Sequence, residues 1–315
     1  MSNKKNTSHT IKNRDEQCFR IIAHIILIIL GLSCFLAFFL VIGSSFQSEG
    51  EIQKIGYRLI PHVPTLEAYK AVLASPKMIL DSYWVTFLTT VIGTIIGVII
   101  SASAGYVISR KSYRYRNILS FYIFFTMLFN GGLVPTYILI TQWLHMKNTI
   151  WALVFPLVVN AWYIMLMKGF FQGLPDSIME SARIDGASEV KIFFSIVLPI
   201  SKPVIATISL FYALAYWNDW YQSLLYIDQQ SLYKLQYLLM QILNKVNFQN
   251  SSAAAAMASA SGGSQAQMPT LNLRMAMCVI AVGPLLLVFP FFQKYFVKGI
   301  TVGSVKGSSK RKKIS

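Results

Sequence analysis

Acidic side chains are scarce in this chain. Twelve Asp and Glu stand against 28 Lys and Arg in 315 residues, for a net charge of +16. Charged residues of both signs make up 13%, about half the share usual in a soluble globular domain, which excludes that class. Cysteine is nearly absent: Cys18, Cys34 and Cys278 are isolated, and the last two fall in apolar runs, where a thiol acts as a small hydrophobe. The four histidines are scattered, and no Cys or His pair has usable ligand spacing, which argues against a metal site. No Gly-x-x-x-x-Gly-Lys-Ser/Thr stretch occurs, so the chain does not bind ATP through that phosphate loop. There is also no long internal repeat.

Hydrophobic residues, at 55%, are what the chain does have. A bilayer core needs about 20 consecutive apolar residues per helix, and six segments qualify: Ile21–Ile42, Tyr83–Ile108, Ile118–Ile140, Ile150–Met167, Val204–Tyr226 and Arg274–Phe292. The first is longer than a signal-peptide core and no small-x-small site follows it, so it reads as a retained span. Twenty of the 28 basic residues fall in the first twenty positions, the loop after span two, the loop between spans four and five, and the C-terminal tail. Clustering at the ends of apolar runs encodes membrane orientation and argues against a nucleic-acid surface. The fold class expected is therefore an all-α polytopic membrane protein with six spans and both termini in the cytoplasm. Its parts are a basic tail over 1–20, a six-helix domain over 21–292 with outer loops at 43–81 and 228–273, and a second basic tail over 293–315. Within the outer loop, Ser251 to Gln267 is an Ala, Ser, Gly and Gln tract of linker composition. The tail from Lys306 to Lys313 suits an anionic leaflet. In span two, Gly93, Gly97, Ser101 and Gly105 recur every four residues, a stripe on which another helix packs closely.

The loop at 168–203 is the most informative segment, because a charged stretch between two spans has no core to fill. Ser177 and Glu180 have capping-box spacing for a helix start. Gly186 sits where that helix must end. A second helix follows, with Val190, Phe193, Phe194 and Val197 on one side, and Pro199 stops it. An amphipathic hairpin on lipid would use similar residues, but such helices are clearly cationic, and here Asp176, Glu180, Asp185 and Glu189 balance Lys168, Arg183, Lys191 and Lys202. That balance favours docking on a protein.

The same loop resembles the signature of ATP-binding-cassette importer permeases: Glu-Ala-Ala, three residues, Gly, nine residues, Ile-x-Leu-Pro. Glu180, Ala182, Gly186, Ile196, Leu198 and Pro199 match it, and Ser181 replaces the first Ala. Phe129-Asn130-Gly131-Gly132, Leu198-Pro199-Ile200-Ser201-Lys202-Pro203 and Trp217-Asn218-Asp219-Trp220 are similar to the carbohydrate branch, in particular the second permease of maltose-type systems for polysaccharide-derived oligosaccharides. The resemblance implies a type I importer permease in the bacterial cytoplasmic membrane. Its partners would be a homologous second permease, two ATP-binding subunits that use ATP and Mg, an extracytoplasmic solute-binding protein and an oligosaccharide. The chain itself would bind no cofactor, and Glu180, Ser181, Ala182, Asp185 and Gly186 would meet the ATPase subunit. In the maltose system the partner permease dominates the sugar site.

Substrate-path candidates are Asn130 beside the Gly131-Gly132 break and the cluster of Tyr212, Tyr216, Trp217, Asn218 and Asp219 in span five. Aromatic faces beside amide and carboxylate groups suit sugars, and an intramembrane acid is a functional suspect. Asp219 lies near the outer end of its span, where the same aromatics also fit an interfacial belt. A self-sufficient secondary transporter of a small polar solute is the alternative, but it would show an inverted repeat and mid-membrane ion-coupling residues. A membrane-embedded enzyme would need a paired catalytic constellation. The sequence has none of these.

Overall fold

The computed structural model describes residues 14–74, 76–249, 251 and 271–304. Nearly all of the Ser251–Gln267 tract and the basic stretch from Lys306 lie outside them. In chain order the helices are α1 (Arg14–Ser45), α2 (Glu49–Ile55), α3 (Glu67–Val72), α4 (Pro76–Ser109), α5 (Arg116–Leu128), α6 (Leu133–Ile138), α7 (Ile150–Val158) and α8 (Ala161–Gln172). They continue with α9 (Asp176–Ile184), α10 (Glu189–Ile192), α11 (Lys202–Trp217), α12 (Tyr221–Tyr226), α13 (Leu235–Gln249) and α14 (Leu271–Ser304). Among the described residues no strand occurs.

The chain separates into two compact units. The first takes residues 1–72 and 266–279. In it α1 carries a membrane-length stretch whose most apolar window has no buried residue, while Gly43, Ser44 and Ser45 at its end are buried. The segment after α1 is more ordered than its mixed composition suggests. Ser48 accepts the Glu51 N–H at the start of α2, and the Glu49 carboxylate accepts the N–H groups of Leu271 and Asn272 at 2.9 and 3.2 Å. A carboxylate at a helix N-terminus satisfies orphan donors and complements the helix dipole, so Glu49 anchors the beginning of α14.

The second unit takes residues 73–265 and 280–315. Among the described residues, only Cys18–Ser45 and Pro76–Ser109 are single helices long and apolar enough to cross a membrane. The continuous spans expected at Ile118–Ile140 and Ile150–Met167 are each broken: α5 meets the α6 segment at 110°, and α7 meets α8 at 48°. Local chemistry accounts for both breaks. At the first, Gly132 adopts φ +89°, which side chains resist, and Asn130 Oδ1 accepts its N–H at 2.9 Å. At the second, Pro156 removes a donor and Asn160 caps α8 by accepting the N–H groups of Trp162 and Tyr163. The loop expected at 228–273 also contains a helix, α13.

In this unit α4 is the central element, and its small-residue stripe does what its spacing implies. A Cβ on Gly97 would lie 2.7 Å from the Tyr212 ring, one on Gly105 would lie 2.7 Å from Met167 Cβ, and one on Gly93 would overlap the Tyr216 ring. The two rings are fixed at their far ends. Tyr212 Oη donates to Val158 O at 2.9 Å and Tyr216 Oη donates to Val154 O at 2.7 Å. Ser101 Oγ lies 2.8 Å from Tyr212 Oη. A third tyrosine repeats the device. Pro284 has no N–H for Ile280 O, and Tyr83 Oη donates to that carbonyl at 2.6 Å. Where water is excluded, freed backbone groups need such partners.

The helix α11 stops at Trp217. Asp219 Oδ1 accepts the Gln222 N–H at 3.2 Å, capping α12, and Asp219 Oδ2 pairs with Lys234 Nζ at 3.0 Å. The same ammonium donates to Tyr216 O at the end of α11. Lys234 is fully buried and Asp219 nearly so. The ammonium thus meets a helix C-terminus and the carboxylate a helix N-terminus, each favourable to its charge.

Two consequences are measurable in detergent-solubilised protein. Gly97→Val should lower thermal stability by the roughly 1–3 kcal/mol of overpacking, whereas Gly31→Val, with nothing within 4 Å, should leave the melting temperature unchanged. Asp219→Leu should cost about 3–5 kcal/mol by stranding the Lys234 charge, and pairing it with Lys234→Met should recover most of that loss.

Candidate functional site

Between α8 and α11 the chain forms a two-armed elbow. It starts after Gly173 rather than at 168, because α8 persists to Gln172. Pro175, with φ fixed near its only accessible value, occupies the N-cap position of α9, and no side chain caps this helix. The Ser177–Glu180 capping box does not form: α9 begins at Asp176, so Ser177 is already helical and its carbonyl accepts the Ser181 hydroxyl at 2.9 Å.

The end of α9 is set by Gly186. At φ +78° it turns left-handed, its N–H donates to Arg183 O at 3.0 Å, and the Ala187 N–H donates to Ala182 O at 2.9 Å. This pair of bonds is the Schellman motif. Ser188 then caps α10 by accepting the Lys191 N–H. The second arm departs from the expected apolar side. A widened, π-type turn over Phe193–Val197 follows α10 and inserts an extra residue per turn. Ile192, Phe193 and Val197 are therefore buried, while Val190 and Phe194 turn outward. Nor does Pro199 stop the helix. The arm runs through it to Ile200 and bends by 84° at Ser201 into α11.

Both arms rest on one apolar cluster, which holds Met179 and Ala182 from α9, Ile192, Phe193 and Val197 from the second arm, and Tyr106, Phe171, Ile208 and Tyr212 from the spans. Polar contacts tie the elbow together. Arg183 Nε meets Glu189 Oε1 at 2.6 Å across the arms, and Tyr106 Oη donates to Glu189 Oε2 at 3.0 Å. The Arg183 hydrogen bond holds the Glu189 carboxyl below its ordinary value, and Glu189 in turn raises Arg183. The Arg110 guanidinium covers the Tyr106 ring at 4.8 Å and touches Met179 Sδ, and Lys111 pairs with Asp176 at 3.1 Å. A polar cleft of about 190 Å³ opens here, lined by Arg110, Lys111, Ser112, Asp176, Met179, Glu180 and Arg183.

Of the five residues expected to meet a partner, Glu180, Ser181, Asp185 and Gly186 are exposed. Ala182 is turned inward, where it packs under the elbow. Sequence reasoning missed Ile184, 87% exposed, and Val190, 67% exposed, beside the acidic positions. For Ile184 the signal was available, an apolar residue in an otherwise polar helix and off the period of Met179 and Ala182; Val190 fits the helical period of Phe193 and Val197, so its outward turn had no signal in the sequence.

The path candidates separate. Tyr212 and Tyr216 are enclosed between α4 and the α7 carbonyls, which leaves their rings no open face. Trp217 is buried with its indole N–H on Ala281 O at 3.0 Å. Asp219 is the buried partner of Lys234, a role distinct from both an interfacial belt and an open pathway. Asn218 and Asn130 are exposed. Among the described residues no group of three His, Cys, Asp or Glu side chains is placed to hold a metal.

Comparisons with known proteins bear on the whole chain. The polygalacturonan/rhamnogalacturonan transport system permease protein YtcP of Bacillus subtilis is 39% identical over 94% of this chain and 100% of its own length. Protein LplC of the same organism is 38% identical over 88% of this chain and 91% of its own. The crystal structure of a bacterial ABC transporter involved in the import of the acidic polysaccharide alginate contains a chain with TM-score 0.73 and 26% identity, covering 90% of this chain and 98% of that one. A match over residues 93–302 to the model of the binding-protein-dependent transport system inner membrane component, taken with these relatives, shows that the chain belongs to that family.

Proposed function

We propose that this chain is a membrane-spanning permease subunit of an ATP-driven importer that carries oligosaccharides derived from polysaccharides. It is a transport subunit rather than an enzyme, and ATP with Mg would be consumed on separate subunits. The observation that carries this reading is the elbow: a rigid, apolar-cored hairpin whose Glu180, Ser181, Ile184, Asp185, Gly186 and Val190 face outward. The functions of these relatives, polymer-derived sugar transport, support the substrate class.

In this proposal α1, α4, α5 with α6, α7 with α8, α11 with α12, and α14 make six crossings, with both termini and the elbow in the cytoplasm. The basic loops support that orientation, as does the elbow's position between two apolar segments. A homologous permease would complete the translocation unit, an extracytoplasmic protein would deliver the sugar, and two ATPase subunits would grip the elbows. The polar cleft beside Glu180 has room for a partner's side chain. Because the second arm runs directly into α11, a displacement of the elbow is applied to that helix. Nucleotide-driven closure then biases a two-state bundle through differential contacts. Exposed Asn130 and Asn218 stay as path residues, and the bilayer is the remaining partner.

Gly186 tests the lever. Valine at φ +78° carries backbone strain of about 1–3 kcal/mol, whereas asparagine tolerates that region. In the assembled transporter, Gly186→Val should abolish most sugar uptake while the complex still hydrolyses ATP, and Gly186→Asn should retain uptake. Normal uptake by the valine variant overturns the coupling role. The Arg183–Glu189 pair gives a pH signature. A carboxyl held below its ordinary value stabilises the elbow throughout the neutral range and loses that contribution only as pH falls through the depressed value. Both side chains are more than a third exposed, so screening limits the effect to about 1 kcal/mol or less. Glu189→Gln should therefore speed amide exchange in α9 and α10 by about fivefold or less at pH 7, and the difference from wild type should vanish in acid.

A further inference from the structure

The break between α7 and α8 carries an aromatic group that neither packing nor a membrane belt explains. Trp162 lies about 18 Å along the span from Ile150, counted at 1.5 Å per residue, which is close to its midpoint. Tryptophan normally favours the interface. Trp143 and Trp151 sit at the ends of their bent spans, whereas Trp162 sits at the internal break of its span, beside the Asn160 cap of α8, and is 48% exposed.

Its surroundings are organised. The Trp162 and Phe211 ring centroids are 5.9 Å apart at 35°, and Tyr163 stacks on Phe211 at 5.9 Å and 26°. Tyr163 is itself held edge-on by buried Tyr212 at 4.6 Å. Phe211, Ala215 and Asn218 recur on one stripe of α11, and the last two are exposed. At the break, Asn160 spends its Oδ1 on the Trp162 and Tyr163 N–H groups, which leaves Nδ2 as its group for a ligand. Exposed rings alone do not mark this site, since Phe121, Tyr122 and Phe125 on α5 and Phe155 on α7 are also exposed. The α8–α11 face differs in setting a half-open indole beside the partly buried Asn160 amide, a polar group that hydrocarbon alone would not satisfy.

We infer that Trp162, backed by Phe211 and flanked by Asn160, is a mid-membrane stacking subsite for one pyranose ring of the transported saccharide. A sugar presents an apolar C–H face to an aromatic ring and its hydroxyls to amides, and this face supplies both. The inference rests on the importer reading and adds to it that this chain contributes directly to sugar passage.

The test uses the complete transporter in proteoliposomes with its binding protein, measuring labelled oligosaccharide uptake and ATP hydrolysis together. Trp162→Ala should keep stimulated hydrolysis within about twofold of wild type and cut sugar moved per ATP about tenfold, the order of one lost aromatic contact. Trp162→Phe should fall between, and Leu166→Ala, one turn along α8, should match wild type. If Trp162→Ala fails to assemble with the second permease, Trp162 is an inter-subunit contact and the subsite is overturned. Wild-type uptake per ATP in an assembled Trp162→Ala or Trp162→Leu variant overturns it equally, assigning the indole to lipid. Failure of the wild-type complex to import any saccharide defeats the importer reading itself, a result distinguishable because no variant is needed to see it.

Discussion

A hydroxyl that reaches a backbone carbonyl is the interaction on which this bundle depends. The second unit crosses the membrane with helices that break or contain proline, and each interruption frees groups that hydrocarbon cannot solvate. Tyr212 reaches Val158 at the α7–α8 break and Tyr83 reaches Ile280 beside Pro284, while Tyr216 reaches Val154 inside α7. Two of these tyrosines fit only because α4 has glycine opposite them. The glycines therefore do more than let helices approach. They make room for side chains that hold a discontinuous span together.

This arrangement gives the proposed lever something to push. The elbow is stiffened by its apolar cluster, by the Gly186 turn and by the Arg183–Glu189 pair, and it continues through the Ser201 bend into α11. At the far end of α11, Lys234 binds its terminal carbonyl and Asp219 together. Leu235, the next residue, donates its N–H to Thr86 on α4. A movement entering at the elbow is thus not absorbed by a loose far end of α11. The buried pair is costly to break and weak as a source of net stability, which fits a joint whose geometry matters more than its energy.

Much of this was legible in the chain. The four-residue spacing of Gly93, Gly97, Ser101 and Gly105 announced a close helix contact, and Gly186 announced the turn, because each rests on a steric rule that one residue type satisfies. The helix start at Ser177 was misread since a proline two residues earlier fixed the boundary first. The apolar side of the second arm was misread because a π-type turn changes the period, and no single residue signals it. Lys234 was invisible for another reason: a lysine in a polar loop reads as solvated until its distant partner, Asp219, is brought beside it. Pairings made by tertiary structure leave no local periodicity to find.

The burial of Tyr212 and Tyr216 also relocates the question of passage. These residues were attractive because aromatic rings at helical spacing suit sugars, and the spacing was right but the face was taken by α4. A helix has only one circumference, so once Tyr212 and Tyr216 face the core, Phe211, Ala215 and Asn218 must face elsewhere. That other face of α11 offers a ring at Phe211, a methyl at Ala215 and an amide at Asn218. The same break that obliges Tyr212 to cap Val158 sets Asn160 and Trp162 beside Phe211. Structural repair and a candidate binding surface therefore arise from one interruption in span four, with the tyrosines serving its buried side and the tryptophan its open one.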